Sequence, residues 1–157
     1  SAATNTGNKS AATNTGYQSA ATNTGDYSAA TNTGDYSAAT NTGYQSAATN
    51  TGDYSAATNT GNKSAATNTG NKSAATNTGD YSAATVEGKE SIACALGMQA
   101  KAKGKIGCWI VLAEWKEVGF CDRKLKQVKA FEIDGEIIKE DIFYVLENGQ
   151  AIEFKED

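Results

Sequence analysis

From Ser1 to Tyr81 the chain is nine uninterrupted copies of one nonapeptide, Ser-Ala-Ala-Thr-Asn-Thr-Gly-x-x, in which only the last two residues vary. A short fixed period with Gly at a fixed place marks a solenoid, whose units stack because none can bury a face alone. The variable pairs are Asn-Lys, Tyr-Gln and Asp-Tyr. Each follows the Gly, so Gly-x-x reads as a turn and the six residues before it as an extended run. Gly takes positive φ without steric cost, and the corner is expected to use that freedom. Copies ten (Ser82–Glu90) and eleven (Ser91–Gln99) keep the frame but change the letters, to Ser-Ala-Ala-Thr-Val-Glu-Gly and Ser-Ile-Ala-Cys-Ala-Leu-Gly.

Before Val86 there is no Val, Ile, Leu, Met, Phe or Trp, so no ordinary hydrophobic core can form from the tract. One reading is a polar low-complexity linker, disordered because it buries too little apolar surface to offset chain entropy. The other, favoured by register-perfect repetition and β-branched Thr, is a very narrow all-β solenoid filled by Ser, Ala and Asn. No Pro interrupts the chain, so continuous ladders are allowed.

Alternation along a strand sends positions one, three and five (Ser, Ala, Asn) one way and two, four and six (Ala, Thr, Thr) the other. The irregular copies say which way is in. Glu87 occupies position six, and Lys101 and Lys103 occupy positions two and four of the next run, none of them suited to a thin core. Ser, Ala and Asn are therefore expected inside. With one strand per nonapeptide the smallest closed coil is two-sided, and a three-sided coil is the alternative. In the two-sided form Asn5, Asn23, Asn41, Asn59 and Asn77 stack behind one face and Asn14, Asn32, Asn50 and Asn68 behind the other. Each side-chain amide is expected to hydrogen-bond its copy in the next coil.

The outward side then carries Thr-x-Thr pairs. One face has Thr4 and Thr6, Thr22 and Thr24, Thr40 and Thr42, Thr58 and Thr60, and Thr76 and Thr78; the other has Thr13 and Thr15, Thr31 and Thr33, Thr49 and Thr51, and Thr67 and Thr69. Coils about 4.7–4.9 Å apart make a two-dimensional lattice of these side chains, stiffened by the restricted χ1 of Thr. The array resembles the ice-binding faces of insect-type β-solenoid antifreeze proteins and the water-organising repeats of bacterial ice nucleation proteins. That likeness implies ice or ordered water as the partner of the threonines. The period of nine and the lack of a disulfide in every coil depart from the insect pattern. The plainer account is that Thr is a good exposed strand former.

Several classes are disfavoured. Seven Lys against six acids in residues 1–105 leave no basic stripe for nucleic acid. No run is long and apolar enough to span a membrane, and no signal peptide is visible, leaving a cytoplasmic or an exported location equally open. His is absent, which removes imidazole bases, His-based triads and His-containing zinc sites. Cys94, Cys108 and Cys121 form no Cys-x-x-Cys pair and are expected to pack under a cap. No metal, cofactor or catalytic residue is expected, and the chain reads as non-enzymatic. Tyr17, Tyr27, Tyr36, Tyr44, Tyr54 and Tyr81 fall at turns and are expected to pack along an edge.

From Ile106 the composition becomes that of an ordinary folded module, with both Trp, all four Phe and twelve of the eighteen acids. Residues 1–105 are read as the repeat domain and 106–157 as a capping module. Cys108–Trp115 reads as a strand with Cys108, Ile110 and Leu112 on one side. Gln127–Ile133 reads as a second, turning at Asp134-Gly135 into Glu136–Lys139; Ile142–Leu146 and Gln150–Phe154 flank Asn148-Gly149, a two-residue hairpin signal. Ile92, Cys94 and Leu96 replace the outward Ala, Thr and Thr of copy eleven, so the cap is expected to fold onto that face.

The repeats, the run Ala100–Trp115 and the closing Val128–Asp141 together resemble uncharacterised bacterial and phage nonapeptide-repeat proteins. That likeness implies a β-solenoid with a C-terminal β cap and a further N-terminal domain, and brings no activity. Because the chain starts at a repeat boundary without Met, it is expected to be a fragment, or to stack its first coil on another molecule. The expected role is a rigid scaffold or spacer, with ice binding or end-to-end self-association at the open N-terminal coil as alternatives.

Overall fold

The computed structural model describes residues 1–156, and its regular elements are all strands. The nine identical copies supply β1 (Ala2–Asn5), β2 (Ala11–Asn14), β3 (Ala20–Asn23), β4 (Ala29–Asn32), β5 (Ala38–Asn41), β6 (Ala47–Asn50), β7 (Ala56–Asn59), β8 (Ala65–Asn68) and β9 (Ala74–Asn77). The winding continues through β10 (Ala83–Val86), β11 (Ile92–Ala95) and β12 (Lys101–Lys103). Four further strands follow: β13 (Trp109–Gly119), β14 (Asp122–Glu132), β15 (Tyr144–Glu147) and β16 (Gln150–Glu153).

Odd-numbered strands β1 to β11 form one parallel sheet and even-numbered strands β2 to β12 the other. Each copy lies in register with the copy two repeats on, Ala2 opposite Ala20 and Asn5 opposite Asn23, so a coil has two sides. The three-sided alternative is excluded. The strands alternate as the sequence demands: the third-position Ala and the fifth-position Asn of the inner coils are fully buried and the first-position Ser nearly so. Along the winding, a fully buried side chain larger than Asn first appears at Val86, in copy ten.

Two local devices differ from expectation. The glycines of the repeat do not adopt positive φ; the ninth residue does, from Lys9 to Gln99, with φ between 47° and 57° in every copy. Glycine is required for another reason. A Cβ at Gly25, Gly43, Gly61 or Gly79 would lie 1.8–2.0 Å from the carbonyl oxygen of the glycine one coil earlier, so the corner stacks backbone on backbone. The asparagines also bond differently. They stack in register, but each amide serves backbone groups of its own and the preceding coil and not the neighbouring Asn. Asn41 Nδ2 donates to the carbonyls of Ser28 (3.0 Å) and Ala47 (3.1 Å), and its Oδ1 accepts from Gly43 N at 2.9 Å. Ser28 and Ala47 belong to the opposite side of the coil, so every Asn ties the two sheets together across the thin interior.

The serines form the copy-to-copy ladder. Ser37 N donates to Ser55 Oγ at 2.9 Å, Ser46 N to Ser64 Oγ at 2.9 Å, and the pattern runs from Ser10 to Ser91. A third ladder lies on the corners, where an eighth-position Asn or Asp accepts from the amide one coil on. Asp26 Oδ1 takes Tyr44 N at 2.8 Å and Asp80 Oδ1 takes Met98 N at 2.8 Å. Among the described residues no buried side-chain nitrogen or oxygen lacks a hydrogen-bond partner. An interior this polar is stable because every desolvated group is paired.

The C-terminal region extends both sheets. β13 adds in parallel to β11, with Ile92 opposite Trp109 and Cys94 opposite Val111, and β14 returns antiparallel to it. On the other side β15 pairs antiparallel with β12 through Ala102 and Tyr144, and β16 completes a hairpin. The cap therefore closes the end of the tube instead of folding onto the outer face. Ile92 remains 43 % exposed, with Cys94 and Leu96 half-buried. Val86, Ile110, Leu112, Ile133 and Tyr144 form a conventional apolar core at this end. The turn at Asn148-Gly149 (φ 49° and 75°) is the expected two-residue hairpin. Asp134-Gly135 is not a hairpin: β14 ends at Glu132 and residues 136–139 form no strand, because Asp134 instead gathers the amides of Glu136, Ile137 and Ile138 at 2.9–3.0 Å. Those backbone donors hold its carboxyl below the usual carboxylate range.

Candidate functional site

The largest ordered surfaces are the two outer faces of the solenoid. Fourth-position threonines lie within the strands; Thr4 and Thr13 of the first coil are exposed, and from Thr22 to Thr76 they are half-buried by their neighbours, with Thr40 directly opposite Thr22 and Thr58. Sixth-position threonines lie one residue beyond the strand ends and, the half-buried Thr69 apart, stand out into solvent, yet their backbone is held in the ladder: Thr42 N donates to Asn23 O at 3.1 Å and Thr60 N to Asn41 O at 3.0 Å. Both threonines of a pair are thus repeated at the coil spacing, about 4.8 Å. At position four of copy eleven Cys94 interrupts one row, where burial pushes its thiol up.

Beside each threonine row runs a shallow groove of ≈ 650 Å³, floored by second-position Ala and first-position Ser and walled by ninth-position side chains. Their order along one wall is Lys9, Tyr27, Gln45, Lys63 and Tyr81. The tyrosines pack chiefly on one another. Tyr36 and Tyr54 stack with ring centroids 5.1 Å apart and planes 4° apart, Tyr17 meets Tyr36 edge-on, and Lys72 caps Tyr54 at 5.7 Å. On the opposite edge Tyr27 packs edge-on against Tyr44 at 5.9 Å.

The C-terminal end carries features that the sequence reading missed. Glu114 is the joint between the two sheet extensions. Its Oε1 accepts from Lys126 Nζ and Asn148 N, both at 2.9 Å, and its Oε2 from Gln127 Nε2 (2.6 Å) and Gly149 N (3.1 Å). With the Lys126 bond as the largest cause, its carboxyl falls from 4.5 to about 2. Next to it opens a cleft of ≈ 480 Å³, walled by Met98, Trp115, Val145, Ile152 and Phe154. The signal for both was present: the β13 pattern does not stop at Trp115, and a lone Glu between Ala113 and Trp115 needs partners.

Among the described residues no group of three or more His, Cys, Asp or Glu is placed to hold a metal ion, and no helix is long and apolar enough to cross a membrane. The described architecture defines the chain as a two-sided β-solenoid of about six coils, ended by antiparallel strands. No protein-family model, no curated protein and no solved structure matches it.

Proposed function

We propose that the chain is a non-enzymatic rod that sets a fixed distance between what lies at its two ends and displays flat threonine faces along its sides. The observation that supports this most is its uniformity. Ser, Asn and corner ladders repeat from coil to coil, each by the same bonds at the same positions. Stability of such a stack is a sum of coil and interface terms, so length is adjustable without redesign. Duplicating residues 37–54, one coil, should lengthen the rod by about 4.8 Å in small-angle scattering and leave the rest of the fold unchanged. A particle that swells or loses β structure instead would defeat the spacer reading.

A second reading is favoured by the in-register threonine rows, which are pre-ordered and free of charge within copies two to nine. In this reading the rows organise water into an ice-like layer. Replacing Thr40, Thr42, Thr58 and Thr60 with Lys should then abolish thermal hysteresis and ice shaping while circular dichroism stays the same. Round, unshaped ice crystals with the unmodified chain at high concentration would remove it.

A further inference from the structure

Of the nine copies, only the fourth and sixth place tyrosine at the ninth position on successive coils of one edge, as Asp35-Tyr36 and Asp53-Tyr54. The two tyrosines share one backbone conformation, with φ of 56° and 55°. Corner bonds fix their spacing: Tyr36 N donates to Asp53 O at 2.9 Å and Asp53 N to Asp35 Oδ1 at 2.9 Å. Equal conformations one coil apart leave the rings parallel, with planes 4° apart and centroids 5.1 Å apart. The other two aromatic contacts join unlike positions, eighth to ninth. Tyr17–Tyr36 and Tyr27–Tyr44 meet edge-on, at 67° and 82°. An edge-on ring presents C–H bonds to its neighbour's face, whereas offset parallel rings set ring carbon over ring carbon. Lys72, one coil on, stands over the Tyr54 ring at 5.7 Å and ends the stack. Tyr36 and Tyr54 are 53 % and 51 % exposed, so an oxidant in solution reaches both.

A phenol that gives up one electron and one proton becomes a phenoxyl radical, with its unpaired spin on the oxygen and on the two ring carbons, Cε1 and Cε2, beside the C–OH carbon. Two such radicals join through one Cε–Cε bond, and the hydrogen on each bonded carbon then moves through solvent to restore its phenol. The net loss is two hydrogen atoms, which reduce one hydrogen peroxide to two waters. In free solution this step waits on the encounter of two short-lived radicals. Here the coil already holds the partners side by side, the advantage of an intramolecular over a bimolecular step. Both rings stand outside the coil, so turning one Cε toward the other disturbs no core.

We propose that Tyr36 and Tyr54 are a site of oxidative cross-linking, where a haem peroxidase using hydrogen peroxide joins two successive coils by a Cε–Cε bond. The bridge closes a loop of one coil and so restricts the unfolded chain as a disulfide would, in a tract that has no disulfide. It is independent of the spacer reading, since it would staple a rod of any role.

Mass spectrometry of the full chain tests it, after brief treatment with haem peroxidase and peroxide at low protein concentration. A Cys121→Ser background removes the exposed thiol, which would otherwise quench the radicals. A monomer lighter by two hydrogen atoms is expected. Cleavage before aspartates, after unfolding, should leave the peptides that begin at Asp35 and Asp53 joined. Tyr36→Phe and Tyr54→Phe keep the ring and lose the phenol, and each should lower that product at least about 10-fold. Tyr81→Phe should leave it unchanged. The bridged chain should also unfold at higher urea than the Tyr54→Phe chain treated in the same way. A chain left unbridged under conditions that couple N-acetyltyrosine, bridges formed only between chains, a bridge that persists in either Phe variant, or one that links Tyr27 with Tyr44 in its place would each overturn the proposal. Equal urea midpoints would overturn the stapling role.

Discussion

Three residues of each nonapeptide do separate work. Asn joins the two sheets through backbone groups of both, Ser links successive coils, and Gly permits the corners to stack without a Cβ between them. The left-handed conformation falls on the ninth residue, Lys, Gln, Tyr or Glu, although such residues carry a cost of roughly 1–2 kcal/mol there. That position must reverse the chain, and the corner ladder holds it by bonds such as Tyr54 N to Asn71 O at 3.0 Å. The glycine is the less replaceable of the two. Gly61→Ala would place a Cβ 1.8 Å from the Gly43 carbonyl oxygen, where only backbone can yield. A loss of about 3 kcal/mol or more is expected in urea denaturation. Gln45→Ala, exposed and already at positive φ, serves as the comparison and should cost far less.

Between elements, the decisive contact is Glu114 with the turn between β15 and β16. A single carboxylate collects four donors from β14 and that turn, and its side chain is 11 % exposed. The linkage follows from the sign of the shift. Its folded value is depressed to about 2, so the stabilisation is complete above the ordinary value of 4.5 and disappears as pH falls from there toward 2. The melting temperature of the unmodified chain should therefore drop over that interval. Glu114→Gln should start lower at neutral pH and show a smaller drop; equal pH dependence in both would mean that other carboxylates close the cap.

At the scale of the whole molecule the fold is one-dimensional. Each coil contacts its neighbours, and the apolar core is concentrated where the tube ends, in Val86, Ile110, Leu112, Ile133 and Tyr144. The interior thus changes chemistry along the rod, from amide and hydroxyl ladders to a hydrocarbon cluster, as the fifth-position residue changes from Asn to Val86 and Ala95. Duplicating one coil should therefore lengthen the rod and leave its end core unchanged.

Periodicity and side-chain size by themselves determined the all-β solenoid, the burial of Ser, Ala and Asn and the outward threonines, since strict repetition forces equivalent residues into equivalent places and alternation assigns the faces. Asn148-Gly149 declared its hairpin for the same local reason, a demand for two positive φ angles. Only the tertiary structure decided the two-sided coil, because a period of nine fits either closure. It also decided that Gly is selected by the coil below it and not by its own φ, that Asn bonds across the coil, and that the cap extends the sheets while Ile92 stays exposed. Those outcomes depend on contacts between residues in different copies of the repeat or in different elements, such as Asn41 with Ser28, Ser37 with Ser55 and Glu114 with Asn148. Local pattern carries no record of such distances; packing the coils sets them.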